Sequence, residues 1–303
     1  MMHVSILDIH PPIYLPDVVE LAEESGYHRY WVTEHHSPMQ SASPTLAMAL
    51  AGGISERLRI GVGGVLLRLH QPLRVAGDIA LLRTFYPGRV DVGIAGALAS
   101  DARARALSGE PAAGDATFQA RIEELIRLST ADAAVPCSAL VRDEAPQFWL
   151  CGTSSASAAL AGNLGLRYAY HHHLKPLAPE RRADIGAVYR DAFRPSAVTT
   201  APYFAIAAYG AVASTAPRAV EEWRGVSGAT ESPSFAGDSS SAADQICQLA
   251  GGYGADEIFI DCFSSSLAVR LEGLRAIADA LRLSEPHAQP LTERVGTHSL
   301  GAG

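Results

Sequence analysis

The stretch Tyr30-Trp31-Val32-Thr33-Glu34-His35-His36 decides how the 303-residue chain is read. Tyr30 to Val32 is a short apolar run of the kind that forms a buried strand. The run stops on an acid and two imidazoles, groups that mark an exit from the core into a mouth or cleft. In a barrel of alternating strands and helices, the C-terminal strand ends build the mouth where chemistry sits. The rest of the chain has to be searched for that alternation.

Outward from this stretch, strands are predicted at 3–9, 29–33, 59–63, 89–94, 148–151, 167–171, 203–213 and 257–261. Helices are predicted at 16–25, 44–55, 72–85, 118–128, 155–164, 177–193, 242–252 and 267–281. The first has Leu15, Val18, Val19 and Ala22 on one face and Gly26 as its C-cap. The second opens on Ser43-Pro44, in cap and first-turn positions. The last carries the apolar stripe Leu267, Leu271, Leu274, Ala278 and Leu281. Residues 97–116, 130–146 and 225–241 read as loops. Eight alternating units predict a parallel sheet closed into a TIM (β/α)8 barrel, an α/β single domain over residues 1–283. A flexible C-terminal tail, 284–303, follows. A doubly wound open sheet is the competing architecture.

Composition narrows the function classes. The chain is 48% hydrophobic and 18% charged with a net charge of −8, which suits a globular protein with one large core. No basic stripe points to nucleic acid and no basic amphipathic helix to a membrane surface. No apolar run approaches the ~20 residues that span a bilayer. Met1 to Asp8 reads as a strand start without a secretory leader, so a cytoplasmic protein is expected. Cys137, Cys151, Cys247 and Cys262 are far apart and read as free thiols rather than zinc ligands or disulfides.

Four strand ends offer chemistry, each with an ordinary alternative. Glu34, His35 and His36 follow the second strand. The imidazoles suit proton transfer near neutral pH, and strand alternation lets only one of two neighbours enter a given pocket. Gly63-Gly64, after the third strand, admits a flat ligand against bare backbone or a strained or cis peptide; it is otherwise a flexible turn. Gly152-Thr153-Ser154-Ser155, after the fifth, sets free N–H groups, hydroxyls and a helix dipole at one place, a phosphate site or a plain serine cap. Tyr170, His171, His172 and His173 end the sixth. No His-x-x-x-His or Cys-x-x-Cys spacing supports a metal, and none is expected. Gly-x-Ser-x-Gly, a P-loop and a Rossmann fingerprint are all missing.

Gly26 to His36 resembles the second strand of the bacterial luciferase-like monooxygenases. So do Leu58 to Leu67, Gln71 to Ala76, Tyr86 to Gly93, Phe148 to Ser155 and Tyr253 to Glu257. The similarity runs over residues 3–282 and is most specific in the first ninety. It is nearest to the small oxidoreductases of natural-product clusters. The resemblance implies a barrel, usually homodimeric through its second and third helices, that binds reduced FMN supplied by a separate flavin reductase. It implies His35 as the catalytic histidine, with Glu34 orienting the pair His35 and His36. It puts Gly63 and Gly64 against the isoalloxazine, often as a cis peptide, and Gly152, Thr153, Ser154 and Ser155 at the phosphate.

One position departs from the family. An arginine usually follows the fourth strand and helps hold the phosphate. Here the matching position, Gly96 in the run Ala95-Gly96, has none, so FMN affinity is expected to suffer unless another arginine, such as Arg103 or Arg105, substitutes. The following Ala97-Leu98 is similar to the branch that uses the deazaflavin coenzyme F420 and transfers hydride. A short connection after the first strand suggests an open mouth for a bulky small-molecule or peptide natural-product substrate. The expectation is a reduced-FMN monooxygenase of secondary metabolism. An F420-dependent reductase, or a flavin-binding partner protein without turnover, stands as the alternative.

Overall fold

A computed structural model describes residues 2–96, 114–130, 135–141, 145–227 and 232–284. Its strands are β1 (His3–Asp8), β2 (Arg29–Val32), β3 (Arg59–Leu66), β4 (Val90–Ala95), β5 (Gln147–Gly152), β6 (Arg167–His171), β7 (Phe204–Val212), β8 (Phe235–Gly237) and β9 (Glu257–Cys262). Its helices are α1 (Leu15–Ser25), α2 (Pro44–Ile54), α3 (Pro72–Phe85), α4 (Asp115–Thr130), α5 (Ser155–Asn163), α6 (Arg182–Ala192), α7 (Ala216–Ser227), α8 (Ser239–Tyr253) and α9 (Leu267–Ala280). Every strand pairing is parallel. The order β6-β5-β4-β3-β2-β1-β9-β7 closes through β6–β7, which gives an eight-stranded barrel; β8 pairs only with β7. The expected (β/α)8 architecture is present and the open-sheet alternative is not.

Two apolar layers follow from strand alternation. Ile6, Tyr30, Val32, Ile60, Val92, Leu150 and Ile258 face the helices. Leu7, Trp31, Trp149, Ala169, Ala205, Ala207 and Phe259 fill the barrel. Trp31 meets Trp149 edge-on at 5.1 Å and lies 4.2 Å from Phe259. A Cβ on Gly61 would come within 2.4 Å of the Trp31 ring, so glycine there makes room for the indole.

The N-terminal end of the barrel is closed by charge. Arg29, fully buried, donates to Asp91 at 2.6 Å, to Glu257 at 2.7 Å and to Gln147 at 2.9 Å. Arg59 donates to the other Asp91 oxygen at 2.6 Å. Ser5 and Tyr203 complete the Glu257 carboxylate. Buried charges survive only when paired and hydrogen-bonded, and this network links β1, β2, β3, β4, β5 and β9 with Tyr203, the residue before β7.

Several expectations need correction. β3 continues through Gly63-Gly64 to Leu66 rather than turning there. A bulge sets those two glycines opposite Gly93 alone, between the pairs Val62–Val92 and Val65–Ile94. The loop expected at 225–241 contains the end of α7, the strand β8 and the start of α8. Asp238 caps α8 by accepting from the Ser241 N–H at 2.8 Å. The helix expected at 177–193 begins as a 3-10 turn, Pro179–Arg181. The expected loop 97–116 and tail 284–303 lie mostly outside the described residues.

Candidate active site at the barrel mouth

Trp31 points into the barrel, and β2 ends one residue later at Val32, so Thr33 to His36 follow as irregular chain. His35 Nδ1 shares a 3.1 Å hydrogen bond with the Thr33 hydroxyl, and its backbone N–H donates to the Ser41 carbonyl at 2.9 Å. Burial lowers the His35 pKa, against the pull of Glu34. Burial and the nearby His35 push His171 down to about 4. The His171 ring stacks on His173 at 5.2 Å, and His173 stacks on Tyr209 at 3.8 Å. Neutral imidazoles and a phenol thus continue from His35 round to β7. Among the described residues the His171 Nε2 and the Tyr209 hydroxyl are buried without a partner.

Glu34 and His36 pair with each other instead. Glu34 Oε1 accepts from His36 Nε2 at 2.9 Å and from His70 Nε2 at 2.8 Å. Its Oε2 accepts the Leu66 N–H at 2.8 Å. Burial pushes the carboxyl up, but the bonds from His70, Leu66 and His36 outweigh it and its pKa is lowered. The expectation that Glu34 orients both histidines is therefore corrected: it fixes His36 and His70 and pins the end of β2 to the end of β3. His35 and His36 thus have different partners, Thr33 and Glu34.

The Gly63–Gly64 bond is cis. A Cβ on Gly64 would sit 2.8 Å from the Gly93 carbonyl group and one on Gly63 2.7 Å from the Trp31 ring, so close packing of the neighbouring strands requires glycine at both. Ala95 and Gly96 end the neighbouring strand. A Cβ on Gly96 would meet the Phe118 ring at 2.9 Å. Arg103 and Arg105 lie outside the described residues. Arg68 is the cation found beside Gly96. Its Nε donates to the Gly96 carbonyl at 2.8 Å, its guanidinium lies 4.5 Å from the Phe118 ring centre, and it pairs with the exposed Asp115. Arg121 of α4 steadies this turn by donating to the Arg68 carbonyl at 2.8 Å. The sequence reading overlooked Arg68, although the pairing of Leu66 with Ala95 puts it on Gly96's rim.

Gly152 to Ser155 joins β5 to α5. Ser154 and Ser157 form a reciprocal capping box, with both bonds at 3.2 Å. For Ser154, the ordinary capping role is the observed one. The Ser155 and Ala156 N–H groups and the Thr153 and Ser155 hydroxyls meet no acceptor among the described residues. They stay available to an anion, as a helix N-terminus allows. Glu34, His35 and His36 follow the C-terminal end of β2, Ala95 and Gly96 that of β4, and Gly152 to Ser155 that of β5, while Gly63 and Gly64 lie in the C-terminal half of β3.

The model of a family described as luciferase-like monooxygenase matches residues 4–252. A luciferase-like monooxygenase of Escherichia coli (strain K12) is 36% identical over 192 residues, which are 62% of this chain and 56% of that protein. The chain thus spans little more than half the length of that relative. The apo-MsnO8 crystal structure superposes with a TM-score of 0.83 at 25% identity, covering 94% of this chain and 99% of that one. An F420-dependent secondary alcohol dehydrogenase shares the fold with a TM-score of 0.73 at 17% identity, over 93% of this chain and 99% of its own. A type II Baeyer-Villiger monooxygenase in complex with FMN shares it at 0.67 and 15%, over 91% and 96%.

Proposed function

The chain belongs to the luciferase-like monooxygenase family, and from that membership we propose that it is a reduced-FMN oxidoreductase that uses oxygen to tailor a small-molecule or peptide natural product. What supports the reading is that His35 and the Thr153–Ser155 donors follow the C-terminal ends of parallel strands and the cis Gly63–Gly64 bond lies in the C-terminal half of a third. The residues present fit a flavin. The His171 Nε2 is a buried polar atom awaiting a partner, and the α5 N-terminus has unmet donors.

In this reading Thr153, Ser155 and the first N–H groups of α5 hold the phosphate, with Arg68 supplying the positive charge that Gly96 lacks. Gly63 and Gly64 let the ring system approach the strand. Bound there, reduced flavin supplies the electron pair that activates oxygen. His35 is neutral at pH 7 because its pKa is lowered, so Nε2 can take a proton from a reacting atom and return it. The Trp31, Trp149 and Phe259 rings close the barrel beneath and keep water out.

A deazaflavin reading is the rival, supported by the F420-dependent dehydrogenase of the same fold. Both cofactors are to be titrated in reduced form, followed by absorbance after oxygen is admitted. Tight FMN binding with a long-lived oxygen-dependent transient is the expected result. F420 binding without the transient transfers the assignment to hydride chemistry. Binding of neither overturns the proposal.

The proposal includes a homodimer and a separate reductase in the cytoplasm. What supports the dimer is the exposed apolar face of α2 and α3, where Leu46, Leu81 and Phe85 border a groove of about 520 Å3 and Leu50 is exposed as well.

A further inference from the structure

On the β1, β7 and β9 side of the mouth lies a cluster that the reading above leaves unused. His10 Nδ1 sits 3.0 Å from Asp261 and 3.5 Å from Asp8. Arg270 donates to Asp261 at 2.8 and 2.9 Å and pairs with Asp8 at 2.9 Å. The Tyr30 hydroxyl donates to Asp8 at 2.7 Å. Arg270 occupies the place a metal ion would take between the two acids, so the cluster is no cation site.

Three of its polar atoms are buried with no partner among the described residues: His10 Nε2, Arg270 Nη1 and the Tyr209 hydroxyl. Burial lowers the His10 pKa, but Asp261 and Asp8 outweigh it and raise it to about 9, so at neutral pH both ring nitrogens are donors. Unmet buried donors are costly, and several in one cluster call for a shared acceptor. His10 and Tyr209 both border Phe263, at 4.8 and 5.3 Å, and Phe263 lies 5.0 Å from Trp223. The donors therefore adjoin an aromatic patch. The charges of Asp8 and Asp261 are balanced by Arg270 and His10, which favours a neutral acceptor over an anion.

We propose that the His10 Nε2–H and the Tyr209 hydroxyl form a donor subsite for the neutral carbonyl oxygen of the substrate, with Phe263 and Trp223 packing its aromatic or apolar body. This rests on the mouth being the reaction site. It names the substrate class: an apolar ketone or amide rather than a carboxylate.

The test uses the full-length protein, three probes and tryptophan fluorescence. Acetophenone carries the carbonyl, ethylbenzene lacks it, and benzoate replaces it with an anion. Acetophenone is expected to bind at least about tenfold tighter than either. Tyr209→Phe is expected to lose about tenfold in acetophenone affinity, with ethylbenzene unchanged. Because the hydroxyl has no partner in the free protein, the variant is expected to melt at or above the wild-type temperature. Equal binding of acetophenone and ethylbenzene overturns the subsite, as when a water in the cavity of about 20 Å3 beside His10 satisfies its proton. Tighter benzoate binding, wild-type acetophenone affinity in Tyr209→Phe, or a lowered melting temperature also overturns it. Reduced FMN and F420 are titrated in parallel. Loss of carbonyl preference with cofactor binding intact sinks the subsite alone, whereas failure to bind either cofactor sinks the functional reading.

Discussion

Replacing Glu34 by Gln should destabilise the protein, and the amount follows from its three bonds. Oε1 accepts from His36 and His70 while Oε2 accepts from the Leu66 N–H, and the residue is buried. An amide has only one accepting end. With its oxygen toward the histidines, its NH2 confronts the Leu66 N–H. With its oxygen toward Leu66, the NH2 confronts two imidazole donors, and shifting the His36 proton to Nδ1 moves it to an atom that is buried and unpartnered. Either way one buried donor loses its acceptor, costing about 1–3 kcal/mol, and the remaining bonds lose their charge assistance, for a total of roughly 2–4 kcal/mol. That corresponds to a fall in melting temperature of roughly 4–15 °C for a domain of this size.

The assay is thermal unfolding of both proteins across pH. The Glu34 pKa is lowered in the folded state. Its stabilisation is therefore present above the unfolded-state value and lost as pH falls through the folded value. The gap between wild type and Glu34→Gln should be full at pH 7 and shrink progressively below about pH 4.5. A loss under about 0.5 kcal/mol at pH 7, or a gap independent of pH, would refute the saturated carboxylate.

Three further outcomes are expected. His35→Ala should cut turnover by about 100-fold or more, the range for a lost proton-transfer group, while melting within a few degrees of wild type; unchanged turnover removes His35 from the mechanism. Arg68→Ala should weaken FMN binding by about tenfold or more and leave riboflavin, which lacks the phosphate, unaffected; equal losses for both would show that Arg68 acts on the fold. Phe85→Glu, at a position 68% exposed, should convert a dimer to a monomer in light scattering; a monomeric wild type refutes the interface.

Much of the barrel was legible because its strands are apolar runs set between helices of 3.6-residue period, as in β2, β6 and α9. What escaped was local structure without that contrast. α7 starts near Pro217, and its inward contacts Ala219 and Trp223 are embedded in polar sequence, so no stripe announced it. β8 has three residues, too few to show alternation. At the site, the exit of His35 and His36 from the core followed from the end of the apolar run. The partners of Glu34 did not, because His70 and Leu66 lie 36 and 32 residues away. His10 was passed over for the same reason: its partner Asp261 is 251 residues distant.

The charged floor of the barrel has a consequence for biosynthesis. Arg29 finds its Glu257 partner 228 residues later, which at ribosomal rates of roughly 5–20 residues per second means a wait on the order of 10–45 s. Until then a guanidinium destined for burial stands beside an unclosed seam, and the nascent half-barrel exposes strand edges to its neighbours. Such a chain gains little from folding before its last strand leaves the exit tunnel.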